Sequence, residues 1–203
     1  MKRLNQSSNH TVLVIACGAI SHELNYLKTI NSWDHITIQC LNADLHNTPK
    51  KIPNKIKEKL DLVGGNFDQV FIAYADCGTG GLLDSMLNEY NIERLPGAHC
   101  YEFFTGLKEF KSLMDNEIGT FYLTDFLVKH FNRLIIKGLG IDKHPQLKDE
   151  YFRNYKKLTY LAQSKSEKLA NQAKYHADYL NLEFAMHYTG LDNLKKNTLE
   201  GIQ

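Results

Sequence analysis

Three cysteines stand where short apolar runs give way to glycine-rich or polar stretches. Cys17 follows the run at 11–16, Cys77 comes two residues after the run at 69–75, and Cys100 follows an extended piece at 92–96. His46 lies in the loop after the run at 35–41, and His99 adjoins Cys100. If these runs are neighbouring parallel strands, all of these side chains emerge on one rim of a sheet, where ligands gather in open α/β folds. Three thiolates and an imidazole suit tetrahedral zinc, with Cys17, Cys77 and Cys100 as ligands and His46 or His99 as the fourth. Three thiolates alone could instead hold an iron–sulfur cluster with one open iron. The bland alternative is that each cysteine is a small buried hydrophobe, which is the expectation for Cys40, inside a strand pattern.

Asp76-Cys77-Gly78-Thr79-Gly80-Gly81 is the most unusual segment. Gly78, Thr79, Gly80 and Gly81 would let the backbone approach a cofactor closely, and a helix starting after them would offer N–H groups to an anion. The same helix end is expected to favour the Cys77 thiolate. A tight strand-to-helix turn would need the same glycines for geometry alone. The segment is neither a Walker loop nor a dinucleotide fingerprint. Glu102 and Asp125 are candidate catalytic proton carriers, or partners of a metal-bound histidine, and equally ordinary carboxylates at helix N-termini.

The elements that must position these residues read as an α/β pattern. Strands are expected at 11–16, 35–41 and 69–75, the first buried and central because it does not alternate with polar residues. Helices are expected at 20–27, 52–63 (ended by Gly64-Gly65) and 82–90. Further on, the expectations are a helix at 101–115, a strand at 119–124, a helix at 126–134, a mostly helical stretch at 145–179, a strand at 182–188 and a closing helix at 191–199. Aromatic residues at 151–155 and 160 fall at helical spacing and suggest packing rather than base stacking. The fold class is therefore α/β: a mostly parallel sheet with helices on both faces, Rossmann-like, with a helical C-terminal half. One domain over residues 1–203 is expected, with residues 1–10 as a flexible tail.

Composition narrows the function classes. With 24 basic against 23 acidic residues, the net charge of +1 gives no general attraction to nucleic acid or to an anionic membrane. No signal peptide or membrane-length apolar run is evident, so the cytoplasm is the expected location, where cysteines stay reduced or bind metals.

Several blocks together resemble one family. They are Ala16-Cys17-Gly18-Ala19, Tyr74 to Gly81, Gly97 to Glu102, Gly119 to Asp125, Gly138 to Pro145, Tyr151 to Tyr155 and Tyr188 to Leu194. The chain is similar, from about residue 11 to 200, to the bacterial and archaeal family known as domain of unknown function 1638. The resemblance implies one full-length domain and a setting near corrinoid-dependent methyltransferases and one-carbon enzymes. Corrinoid or methyltransferase proteins are thus the implied partners. A zinc-thiolate centre that activates a thiol or water fits that setting. A non-catalytic carrier with an iron–sulfur cluster or redox thiols is the alternative.

Overall fold

The computed structural model describes residues 10–63 and 65–202. The tail expected over residues 1–10 thus lies, except for His10, outside the described residues, as does Gly64. Val12–Cys17 forms β1, buried at every position. That burial follows from its place: β1 is the centre of a parallel sheet of order β2-β1-β3, between β2 (Ile36–Leu41) and β3 (Gln69–Ala73). The register sets Val12 against both Ile36 and Gln69.

Helices α1 (Ser21–Ile30), α2 (Ile52–Val63) and α3 (Leu82–Tyr90) follow the three strands in turn. α2 buries Ile52, Ile56 and Leu60, a one-sided stripe at the spacing of four that a sheet-packing helix needs. The chain continues through α4 (Glu102–Thr105) and α5 (Leu107–Asn116) into a second parallel sheet. Its order is β4-β5-β6: β4 (Thr120–Thr124), β5 (Lys157–Ala162) and β6 (Glu183–Tyr188). Around it lie α6 (Asp125–Lys129), α7 (Leu147–Phe152) and α8 (Glu167–Leu180). The last helix, α9 (Asp192–Gly201), returns to the first sheet, where Leu194 joins its core and Asn193 Nδ2 donates to Phe104 O at 3.0 Å.

The α/β class with parallel sheets is as expected from the sequence, and β1 is central as expected. Four details differ. There are two three-stranded sheets, each with its own apolar core. β5 lies inside the stretch expected to be helical, because the aromatic spacing from Tyr151 to Tyr160 runs across a turn; Leu158-Thr159-Tyr160-Leu161-Ala162 is a buried central strand. The helix expected at 101–115 breaks at Gly106 (φ 83°, ψ 149°), and that expected at 126–134 gives way to a π-helical segment at Asn132–Lys137. Cys40 is exposed rather than core, because β2 is an edge strand paired on one side only. Among the described residues no helix is long and apolar enough to cross a membrane.

Candidate metal centre

Cys17 is the last residue of β1, and its sulfur accepts the Ala19 N–H at 3.3 Å, capping the short 3-10 turn Gly18–Ile20. Gly18 is obligatory there, since a Cβ would sit 2.7 Å from Leu41 O at the end of β2. A second 3-10 segment, Ala43–Asn47, follows β2 and is capped by Asn42, which accepts from Asp44 N at 3.0 Å. It hangs His46 over the end of β1, with His46 Nδ1 3.1 Å from Ala43 O and 3.7 Å from Cys17 Sγ.

Cys77 and Cys100 are brought together by backbone. Leu95 N donates to Ile72 O at 2.9 Å, so the extended piece before Cys100 runs beside β3. Asp76 N then donates to Gly97 O and Cys77 N to Ala98 O, at 3.1 and 2.9 Å. Glu102 braces the same loop from within, its Oε1 accepting from Ala98 N at 2.9 Å and His99 N at 3.0 Å. Cys77 itself adopts a left-handed conformation (φ 49°), uncommon without a local constraint. The result is a sulfur–sulfur contact of 3.0 Å between two buried free thiols, well outside the roughly 2.05 Å of a disulfide.

His46, Cys77 and Cys100 each offer a ligand atom, all within 4.8 Å of one another. A single tetrahedral ion with bonds of about 2.3 Å sets its sulfurs under roughly 4 Å apart, so these three could hold a metal ion with side-chain adjustment alone. Cys17 lies beside the group, in contact with His46, and outside that mutual set. Both candidate histidines are exposed, but the His99 ring packs 6.2 Å from those of Tyr101 and Phe110, and His46 is the one gathered with the sulfurs.

The cluster holds on to its protons. The neighbouring Cys100 sulfur, then burial, pushes the Cys77 thiol far up. Cys100 is raised too, chiefly by Cys17. At His46 burial favours the neutral ring, and the adjacent Cys100 and Cys77 sulfurs work the other way, raising the imidazole to about 10 only where they are thiolates. The expectation that a helix N-terminus lowers the Cys77 pKa is thus overturned. α3 begins only at Leu82, and the loop's donors serve Asp76: Thr79 Oγ1 at 2.7 Å, Gly81 N at 2.9 Å and Gly80 N at 3.1 Å. Burial works against the Asp76 carboxylate, but these bonds, with Gly78 N, hold it down to about 2. Gly78, Thr79, Gly80 and Gly81 therefore wrap a carboxylate of the chain's own.

Asp125 lies at the end of the second sheet instead. Its carboxylate accepts from Tyr160 Oη at 2.6 Å, Gln163 N at 3.0 Å and the Ser164 hydroxyl. Tyr74 had not been singled out from the sequence. Its hydroxyl is buried without a partner, and burial, then the nearby Cys17, holds its proton firmly. A tyrosine ending an otherwise apolar run is a signal in itself, since a buried hydroxyl needs a partner.

The cluster opens on a cleft of about 340 Å³ between the two sheets. His46, Cys77 and Cys100 line one side, and Phe126, Leu127 and Leu134 face them from the other. Asp44 and Arg133, 3.5 Å apart, join the His46 segment to the π-helical segment that carries Leu134. No curated protein and no solved structure gives a significant match to the chain. A family model described as protein of unknown function (DUF1638) matches residues 40–198, a span that takes in His46, Cys77 and Cys100 but starts after Cys17. With most of its length matched, the chain belongs to the DUF1638 family.

Proposed function

We propose that the chain is a zinc-thiolate protein of one-carbon or corrinoid-linked methyl metabolism. In this reading His46, Cys77 and Cys100 hold the ion, and its fourth position, on the side of the cleft, takes a thiol or water. The observation that carries the metal reading is the convergence of one imidazole and two buried thiols within 4.8 Å, at the edge of a cleft. Two thiolates and one imidazole with a position left open is a donor set that catalytic zinc uses. A [4Fe–4S] cluster attaches each cysteine to a different iron and needs its sulfurs spread apart, so the 3.0 Å contact favours a single ion over that cluster. Bound there, zinc would supply Lewis acidity that eases the loss of a proton from the thiol or water.

The chain's own residues do the rest. Cys77 and Cys100 neutralise the dication, Glu102 fixes the loop that carries Cys100, and the apolar far wall excludes water. Glu102 and Asp125 act here by positioning, each committed to hydrogen bonds within the fold. The metabolic setting, with corrinoid or methyltransferase proteins as partners, rests on the family resemblance. The 3.0 Å contact also supports a second reading, a carrier in which Cys77 and Cys100 are a redox dithiol.

Metal analysis and visible absorption on protein purified without oxygen separate the readings. About one zinc per chain in a colourless protein supports the first. Brown colour with iron and sulfide supports the cluster form of a carrier. Metal-free protein in which Cys77 and Cys100 cycle between dithiol and disulfide supports the second reading.

A further inference from the structure

The cleft limits what can reach the metal. Among the described residues its walls, drawn from both halves of the chain, include no lysine, arginine, aspartate or glutamate. The polar side chains there are those of the cluster itself, Asn47, His99, Tyr101 and Thr124. Across from the thiols stand Phe121, Phe126, Leu127, Leu134 and Ile135. The volume of about 340 Å³ is at the low end for small-molecule sites. A dication held by two thiolates has no net charge, so neither the centre nor the walls would recruit an anion. Burying a phosphate, sulfonate or carboxylate there would leave it without a lysine or arginine to balance its charge, at a cost. An apolar body gains from the same walls.

The donor atom follows from proton affinity. A thiol ionises near 8.5, whereas water and alcohols need several units more help. At neutral pH a metal that already carries two thiolates turns a thiol into its ligand far more readily than an alcohol.

Resting on the metal reading above, we infer that the cleft takes a small uncharged molecule with an apolar body and one terminal thiol, delivered sulfur-first to the open position. In that step the S–H bond breaks, its electron pair forms the sulfur–metal bond, a bound water departs and the proton passes to solvent.

The test uses the full chain loaded with cobalt(II) in place of zinc, without oxygen, reading the sulfur-to-cobalt charge-transfer band. Three probes are titrated: phenylmethanethiol, 3-sulfanylpropanoate and phenylmethanol. We expect phenylmethanethiol to bind at least about tenfold more tightly than either of the others. Leu127→Lys, on the far wall and away from the ligands, should keep one cobalt per chain and shift the preference towards 3-sulfanylpropanoate. Phe126→Ala should keep cobalt and weaken phenylmethanethiol alone, which covers the case in which Leu127→Lys fails to fold. Equal affinities for the two thiols, or no change in preference in either variant while cobalt is retained, would overturn the inference and leave the metal reading standing. Failure of the wild-type chain to bind cobalt or zinc would remove both.

Discussion

The two sheets end in buried polar clusters that are built in opposite ways. At the end of the second sheet the groups of Asp125 itself are engaged: its carboxylate takes Tyr160, Gln163 and Ser164, while its own N–H donates to Gln163 Oε1 at 2.8 Å. At the end of the first sheet two thiols are pressed together beside the His46 imidazole, and the Tyr74 hydroxyl has no hydrogen-bond partner among the described residues. A closed network rigidifies a fold. An open one, bordering a cleft, leaves groups free to bind a ligand. Parallel topology is shared by the two sheets; what differs is how far the polar groups at each end already satisfy each other.

The sharpest way to break this contrast is to swap a residue at each end. Cys77→Ser should lower zinc affinity by more than about a hundredfold with little change in thermal unfolding, because a hydroxyl is a poor replacement for a thiolate. Asp125→Ala should do the reverse. It strands several buried donors, each costing about 1–3 kcal/mol, so a loss of roughly 3–5 kcal/mol is expected with zinc content unchanged. Chemical denaturation of both variants alongside zinc titration checks the pair, and the contrast fails if Asp125→Ala loses metal or Cys77→Ser unfolds.

The protonation of the first cluster sharpens the comparison next. The Cys77 and Cys100 thiols are both raised, so a metal must displace their protons on entry. Zinc affinity should therefore climb steadily between about pH 6 and pH 8, with proton release measurable by calorimetry in buffers of different ionisation heat. A flat profile would mean that the metal binds elsewhere.

A smaller effect is expected at Asp76. Its carboxyl sits near 2 in the fold against an ordinary 3.8, so its contribution is fully present above about pH 4 and is lost as pH falls through about 2. Asp76→Asn should cost about 1–2 kcal/mol at neutral pH by loosening the Gly78–Gly81 turn, and much less at pH 2. The smallest effect is expected at exposed Cys40, where Cys40→Ser should stay within about 0.5 kcal/mol and leave zinc binding intact.

Much of the first sheet was legible in the sequence because its signals are local. A fully apolar β1 announces a central strand, the Ile52, Ile56 and Leu60 stripe announces α2, and a cysteine at a strand end announces a rim position. The second sheet was harder to read. β5 is preceded by aromatic residues whose spacing mimics a helix, and its strand character lies in five residues that periodicity alone does not distinguish from a buried helix. Cys40 looked like core because apolar alternation does not say whether a strand is central or at an edge; that depends on pairing between distant segments. The choice between His46 and His99 was open for the same reason, since it turns on the backbone bonds that tie residues 76–77 to 97–98. The far wall of the cleft, Phe126, Leu127 and Leu134, carries no sequence signal beyond ordinary apolar spacing, because it exists only through the meeting of the two halves.

X-ray absorption at the zinc edge of the loaded protein measures the centre directly. With His46, Cys77 and Cys100 as ligands and the fourth position open to the cleft, the first shell should contain two sulfurs at about 2.3 Å and two light atoms at about 2.0–2.1 Å, one of them imidazole nitrogen. A shell of light atoms alone would place the metal away from Cys77 and Cys100, and three sulfurs would mean that Cys17 closes the site; either result would contradict an open two-thiolate centre.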